Sequence, residues 1–136
     1  MTSPMLDDYQ LTIACLGLAG ALLVVQLLVV DVVGLRRAHP PGTPIEPDQN
    51  DFLFRATRAH ANTNESIAAF ALLAVFGIFA GAEASWTNGL AATWIAGRTA
   101  HMACYYAGWG PARSASFGIA ALALVGLCIN GAIALF

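Results

Sequence analysis

The sequence predicts an all-α integral membrane protein, a bundle of four transmembrane helices forming one domain over residues 1–136. Three observations carry that reading. Hydrophobic residues make up 58% of the 136 positions and charged ones only 10%, against about 25% charged in an ordinary soluble domain. The charges are also unevenly spread. Residues 9–30, 66–82 and 114–136 carry none, and Arg98 alone parts the uncharged stretches 84–97 and 99–112. Finally, ~20 largely apolar residues suffice to cross a bilayer as a helix. The alternating pattern of a barrel strand is absent, so the backbone polar groups must be satisfied within helices. The same composition argues against a disordered chain or a disulfide scaffold. The net charge of −2, with no lysine, offers no footprint for nucleic acid.

Span one, about residues 9–34, follows the acidic pair Asp7 and Asp8 and is too long for a cleavable leader, so it is expected to be retained. The stretch after it holds Pro40, Pro41, Pro44 and Pro47. These forbid a regular helix and predict a loop, with His39 on its surface. Span two, about 51–82, has Asp48 to Asp51 as candidate caps. At ~1.5 Å per residue it exceeds the ~30 Å hydrocarbon core, so its first turns must leave the membrane or line a polar cavity. Span three, about 85–107, has Ser85 as its expected cap and Trp86 at the interface. Gly108, Gly110 and Pro111 mark the turn into span four, about 112–136, where proline suits a first helical position.

Arginine sets the expected orientation. Arg36, Arg37, Arg55 and Arg58 cluster between spans one and two, and Arg98 and Arg113 lie near the turn between spans three and four. The positive-inside bias places these ends in the cytoplasm and both termini on the other side. Cys15, Cys104 and Cys128 fall inside spans without metal spacing and read as packing residues, so no metal site is expected.

The chemistry concentrates in two stripes. At about 100° per residue, Arg55, Arg58, Asn62 and Glu65 share one helix face. Trp94, Arg98, His101 and Tyr105 share another. Ionisable groups inside spans are costly and commonly mark a site. Pairs such as Arg58 with Glu65, or Asp31 with Arg98, could be structural. The set as a whole has more arginine than acid, and that surplus asks for an anion from outside. Arg113 stands in the first turn of span four, where the helix dipole disfavours a cation. An anion held there by Arg113, Ser114 and the free backbone N–H groups would remove the penalty.

The segments RATRAHANTNESIAAF and GRTAHMACYYAGWGPARS resemble the MAPEG family, the membrane-associated proteins of eicosanoid and glutathione metabolism. The Arg-Ala-His-x-Asn-x-x-Glu run is similar to that family's helix-two signature. The Gly-Arg-x-x-His-x-x-x-Tyr run with its later Arg-Ser is similar to the microsomal prostaglandin E synthase and glutathione transferase type. Arg-Arg-Ala before the proline-rich loop resembles the corresponding loop of leukotriene C4 synthase. The resemblance implies a homotrimer that binds glutathione, or a similar low-molecular-weight thiol, at subunit interfaces. It assigns Arg58, Asn62, Glu65, Arg98, His101 and Tyr105 to the thiol peptide, with Arg36 or Arg37 on a carboxylate. It places Arg113, Ser114 and Tyr105 at the reacting sulfur. Ala61 stands where the prostaglandin branch has an arginine, and Ala68 where the family has a proline.

The expected activity is thiol activation for attack on an apolar electrophile or lipid hydroperoxide entering from the bilayer. A non-catalytic membrane protein of the same fold and a small transporter or channel remain as alternatives.

Overall fold

A computed structural model describes residues 4–136, so residues 1–3 of the N-terminal tail lie outside the described part. The order is α1 Pro4–Asp7, α2 Gln10–Arg36, α3 Phe52–Phe79, α4 Ala84–Ala107 and α5 Gly110–Leu135. There is no strand among the described residues. The four long helices are the four expected spans, and the single-turn α1 is an addition that the sequence did not announce. Helices α2, α3 and α5 are each long and apolar enough to cross a membrane by themselves. Helix α4, with 24 residues, is ~36 Å long at 1.5 Å per residue, long enough to cross but less apolar than the other three. Of its polar side chains Thr87, Arg98 and His101 are buried against protein.

Local chemistry sets the ends. The Asp51 carboxylate accepts the Leu53 N–H at 3.0 Å and so caps α3. Burial raises its pKa, but the Leu53 N–H and the Arg37 guanidinium outweigh that and hold it below the usual carboxylate range. Helix α3 stops at Phe79, short of the expected residue 82. Gly81 takes a positive φ of 68°, and the Gly81 and Ala82 N–H groups turn back to the Ile78 and Gly77 carbonyls, a glycine-ended helix cap. The cap of α4 is Glu83 rather than the expected Ser85. Its carboxylate accepts the Trp86 N–H at 2.8 Å and the Ser85 N–H at 3.1 Å, and those two bonds lower its pKa. The longer glutamate reaches two free donors where serine reaches one.

The Glu83 end is clasped by polar side chains. The Tyr9 hydroxyl donates to the Ala82 carbonyl. Asn88 accepts the Thr12 N–H and hydroxyl at 2.9 and 2.7 Å and donates to the Asp8 carbonyl at 2.8 Å. Asn130 on α5 donates to Thr87 Oγ1 at 2.9 Å and to the Glu83 carbonyl. At the opposite end the proline-rich loop is pinned by the Arg37–Asp51 ion pair. His39, expected on the loop surface, is half-buried instead. The Thr43 carbonyl lies 3.2 Å from its Nε2.

The middle of the bundle is apolar. Phe70 and Trp94 stack with centroids 4.0 Å apart and planes 2° from parallel. Cys15, Ala19, Ala74, Ala91, Ala120, Ala123 and Leu127 surround them. Cys15 and Cys104 pack as expected, whereas Cys128 is exposed on α5. Small residues let α4 and α5 approach closely, as lipid-embedded helices require. A Cβ added at Gly97 would meet the Ala120 Cβ at 3.1 Å and the Ser116 carbonyl oxygen at 3.2 Å. Because one of those contacts is backbone, Gly97→Leu is expected to destabilise by ~1–3 kcal/mol, the scale of overpacking. Thermal unfolding in detergent would show this as a lowered melting temperature.

Candidate functional site

The two polar stripes meet at the arginine end of the bundle. Buried Thr63 on α3 faces Arg98 on α4, a residue only 1% exposed. One terminal nitrogen of Arg98 donates to Asn62 Oδ1 at 2.9 Å and to Thr63 Oγ1 at 3.2 Å. The Thr63 hydroxyl donates to the Ala59 carbonyl at 3.1 Å, so towards Arg98 its oxygen can only accept. Neither suggested internal pair forms. Among the described residues the one ion pair is Arg37–Asp51, and Asp31, Arg58 and Glu65 are exposed on the protomer.

Next to this contact lies an open cleft of about 220 Å³ walled by Asn62, His101, Arg113, Ser114 and Phe117. Helix α3 supplies Asn62, α4 supplies His101, and the first turns of α5 supply the other three. The tight turn before α5 makes that possible. Gly108 at φ 76° lets the Trp109 N–H reach back to the Cys104 carbonyl at 2.9 Å, so α5 starts beside the end of α4. The Arg113 guanidinium then lies over the Tyr105 ring, 4.6 Å from its centroid. His101 stands edge-on to the same ring at 5.0 Å and tilted to Phe117 at 6.0 Å. Its Nδ1 is buried without a partner among the described residues. The Ser114 hydroxyl points back to the Gly110 carbonyl at 3.4 Å, a long and weak bond.

The expected site residues therefore separate into groups. Asn62, His101, Arg113 and Ser114 line the cleft. Tyr105 lies beneath Arg113 and is 8% exposed. Arg98 does not line the cleft but stands behind Asn62. Arg58 and Glu65 occupy the outer edge of the α3 stripe, open to whatever adjoins the protomer. Of the loop arginines, Arg37 is engaged by Asp51 and Arg36 is exposed. Arg55, on the inner edge, is structural. It donates to the Gln49 carbonyl at 2.8 Å and the Tyr106 carbonyl at 3.4 Å, tying α3 to α4.

Sequence reasoning missed two members. Phe117 is one helical turn beyond Arg113 and shares its face, a spacing visible in the sequence but unremarkable in an apolar helix. Thr63 carries no signal in the sequence, since a threonine inside a span commonly bonds its own helix. It does so here, and its oxygen also serves Arg98.

Chemically, the cleft offers one guanidinium free of carboxylate within 4.0 Å among the described residues, an amide, a hydroxyl, an imidazole and one aromatic wall. It suits a small ligand with an anionic group and an apolar neighbour. The search of curated proteins returned no match. The MAPEG family model, by contrast, matches residues 11–133, which takes in nearly all of the four long helices and every residue of the cleft, and the chain belongs to the MAPEG family.

Proposed function

We propose that the protein is a membrane-embedded, glutathione-dependent transferase or peroxidase that works as a homotrimer. The observation that carries this reading is Arg113, held over Tyr105 at the start of α5 with no carboxylate partner among the described residues and facing a cleft. A free thiol with pKa about 8.5 is mostly protonated at neutral pH. A guanidinium beside the sulfur favours the thiolate, and the same thiolate offsets the cost of a cation at a helix start. The thiolate then attacks an apolar electrophile or lipid hydroperoxide arriving from the bilayer along the Phe117 side.

The exposed edge of α3 supports the trimer. Arg58 and Glu65 are uneconomical against lipid and become useful against a neighbouring protomer, where a peptide's carboxylates and ammonium find opposite charges. The loop arginine free to join them is Arg36. In this arrangement the arginine end faces the cytoplasm and both termini face away. An ion path is the weaker alternative, because the Phe70–Trp94 stack closes the middle of the protomer.

The direct test is the ultraviolet difference signal of a thiolate on adding glutathione to the purified protein at neutral pH. A signal that saturates at one or fewer per protomer is expected. Binding without thiolate formation would favour a non-catalytic protein of the same fold.

A further inference from the structure

We infer that Arg98 is a positioning residue that fixes which face of the Asn62 amide the cleft presents. The inference rests on the thiol-binding reading above. A guanidinium has only donors to offer. With its nitrogen 2.9 Å from Asn62, it can accommodate only the amide oxygen there. The second acceptor, Thr63 Oγ1 at 3.2 Å, is itself held by its bond to the Ala59 carbonyl, so Arg98 is braced against α3 at two points. With its oxygen turned to Arg98, Asn62 holds Nδ2 on the opposite side of the amide, free to donate, and Asn62 is a wall of the cleft that also holds Arg113 and Ser114.

The consequence is selectivity by polarity. The amide and Arg113 both act as donors, and the buried charge of Arg98 polarises the amide in the same sense. The cleft therefore selects an anionic acceptor on the ligand. In a thiol tripeptide that acceptor is either a carboxylate or the thiolate.

The test is Asn62→Asp, with Asn62→Ala beside it, in full-length detergent-solubilised protein. Binding is measured by calorimetry with glutathione, its diethyl ester and S-methylglutathione. An aspartate keeps the contact with Arg98 and turns its second oxygen on the ligand. The expected result is a melting temperature no lower than the parent's. The dissociation constant for glutathione should rise ~10-fold or more, the scale of one charge-assisted hydrogen bond. Relative to parent, the loss should shrink for whichever neutralised ligand lacks the anion that Asn62 meets, so the two arms tell carboxylate from thiolate. Asn62→Ala should lose less than Asn62→Asp, since it removes a donor without installing a repulsive charge.

A lowered melting temperature for Asn62→Asp would overturn the Arg98 contact. An equal loss for all three ligands, or no loss, would overturn the polarity role while leaving glutathione binding by the parent intact. A parent that binds none of the three overturns the functional reading, and this inference with it.

Discussion

Arg113→Ala is expected to lower turnover with a generic electrophile such as chlorodinitrobenzene by ~10²–10³-fold, the usual loss when one preorganised charge is removed from a reacting centre. The structure makes this a clean substitution. Arg113 forms no ion pair among the described residues, and its packing partner is the face of Tyr105. Truncation therefore forfeits a cation–π contact worth ~0.5–1 kcal/mol at an exposed site. That is small beside the ~2.7–4 kcal/mol expected on the chemical step. The sign on pH follows from the mechanism. A nearby cation stabilises the thiolate, so removing it raises the apparent pKa of bound thiol, and the rising limb of the pH–rate profile moves to higher pH. Ser114→Ala should cost less, since its hydroxyl is turned back on the Gly110 carbonyl. A pH–rate profile of both variants beside the parent decides the matter. An unchanged profile in Arg113→Ala would transfer the activating role to the Tyr105 hydroxyl.

Glu65→Gln is expected to raise the dissociation constant for glutathione by roughly 10–100-fold, corresponding to a charged hydrogen bond of ~1.5–3 kcal/mol. The physical basis is that Glu65 is exposed on the protomer and has no ion-pair partner among the described residues. Neutralising it breaks no ion pair or hydrogen bond among the described residues and costs the buried Arg98 guanidinium only a through-space attraction, so a large loss points to a neighbour or a ligand. Light scattering in detergent separates the two. Preserved oligomer with weakened binding assigns Glu65 to the ligand ammonium. Dissociation of the oligomer without thiol binding by the parent would make it an intersubunit ion-pair residue instead.

Particular residues show where the sequence was legible. Asp51 and Pro111 announce helix starts because a cap and a first-turn proline act on the adjacent backbone alone. Ser85 was the expected cap of α4, and Glu83 is the observed one. The choice fell to the side chain that could reach two N–H groups, which depends on how the Gly81 turn delivers the chain. Arg98 was visible as an unusual charge in a span, and its periodicity put it on one face with Trp94, His101 and Tyr105. Periodicity does not say that this face is turned inward, nor that Asn62 stands between Arg98 and the cleft. Likewise Arg36 and Arg37 are equivalent as letters. Asp51, 14 residues further along, engages Arg37 and leaves Arg36 free.

The four long helices, their approximate limits, the membrane setting and the family were all readable along the chain. Each of these follows from rules that act along the chain: lipid tolerates few charges, so the gaps between charges mark the spans, and an unbranched backbone in lipid has helix as its local solution. The packing of the helices sets which polar groups of the two stripes meet. It placed Asn62, His101, Arg113, Ser114 and Phe117 around one cleft, put Arg98 behind it, and left Arg58 and Glu65 outside. The physical reason is that a hydrogen bond is satisfied or lost within a few tenths of an ångström. The rotation and separation of packed helices are set by small residues such as Gly97 at their contacts, far along the chain from the side chains they bring together.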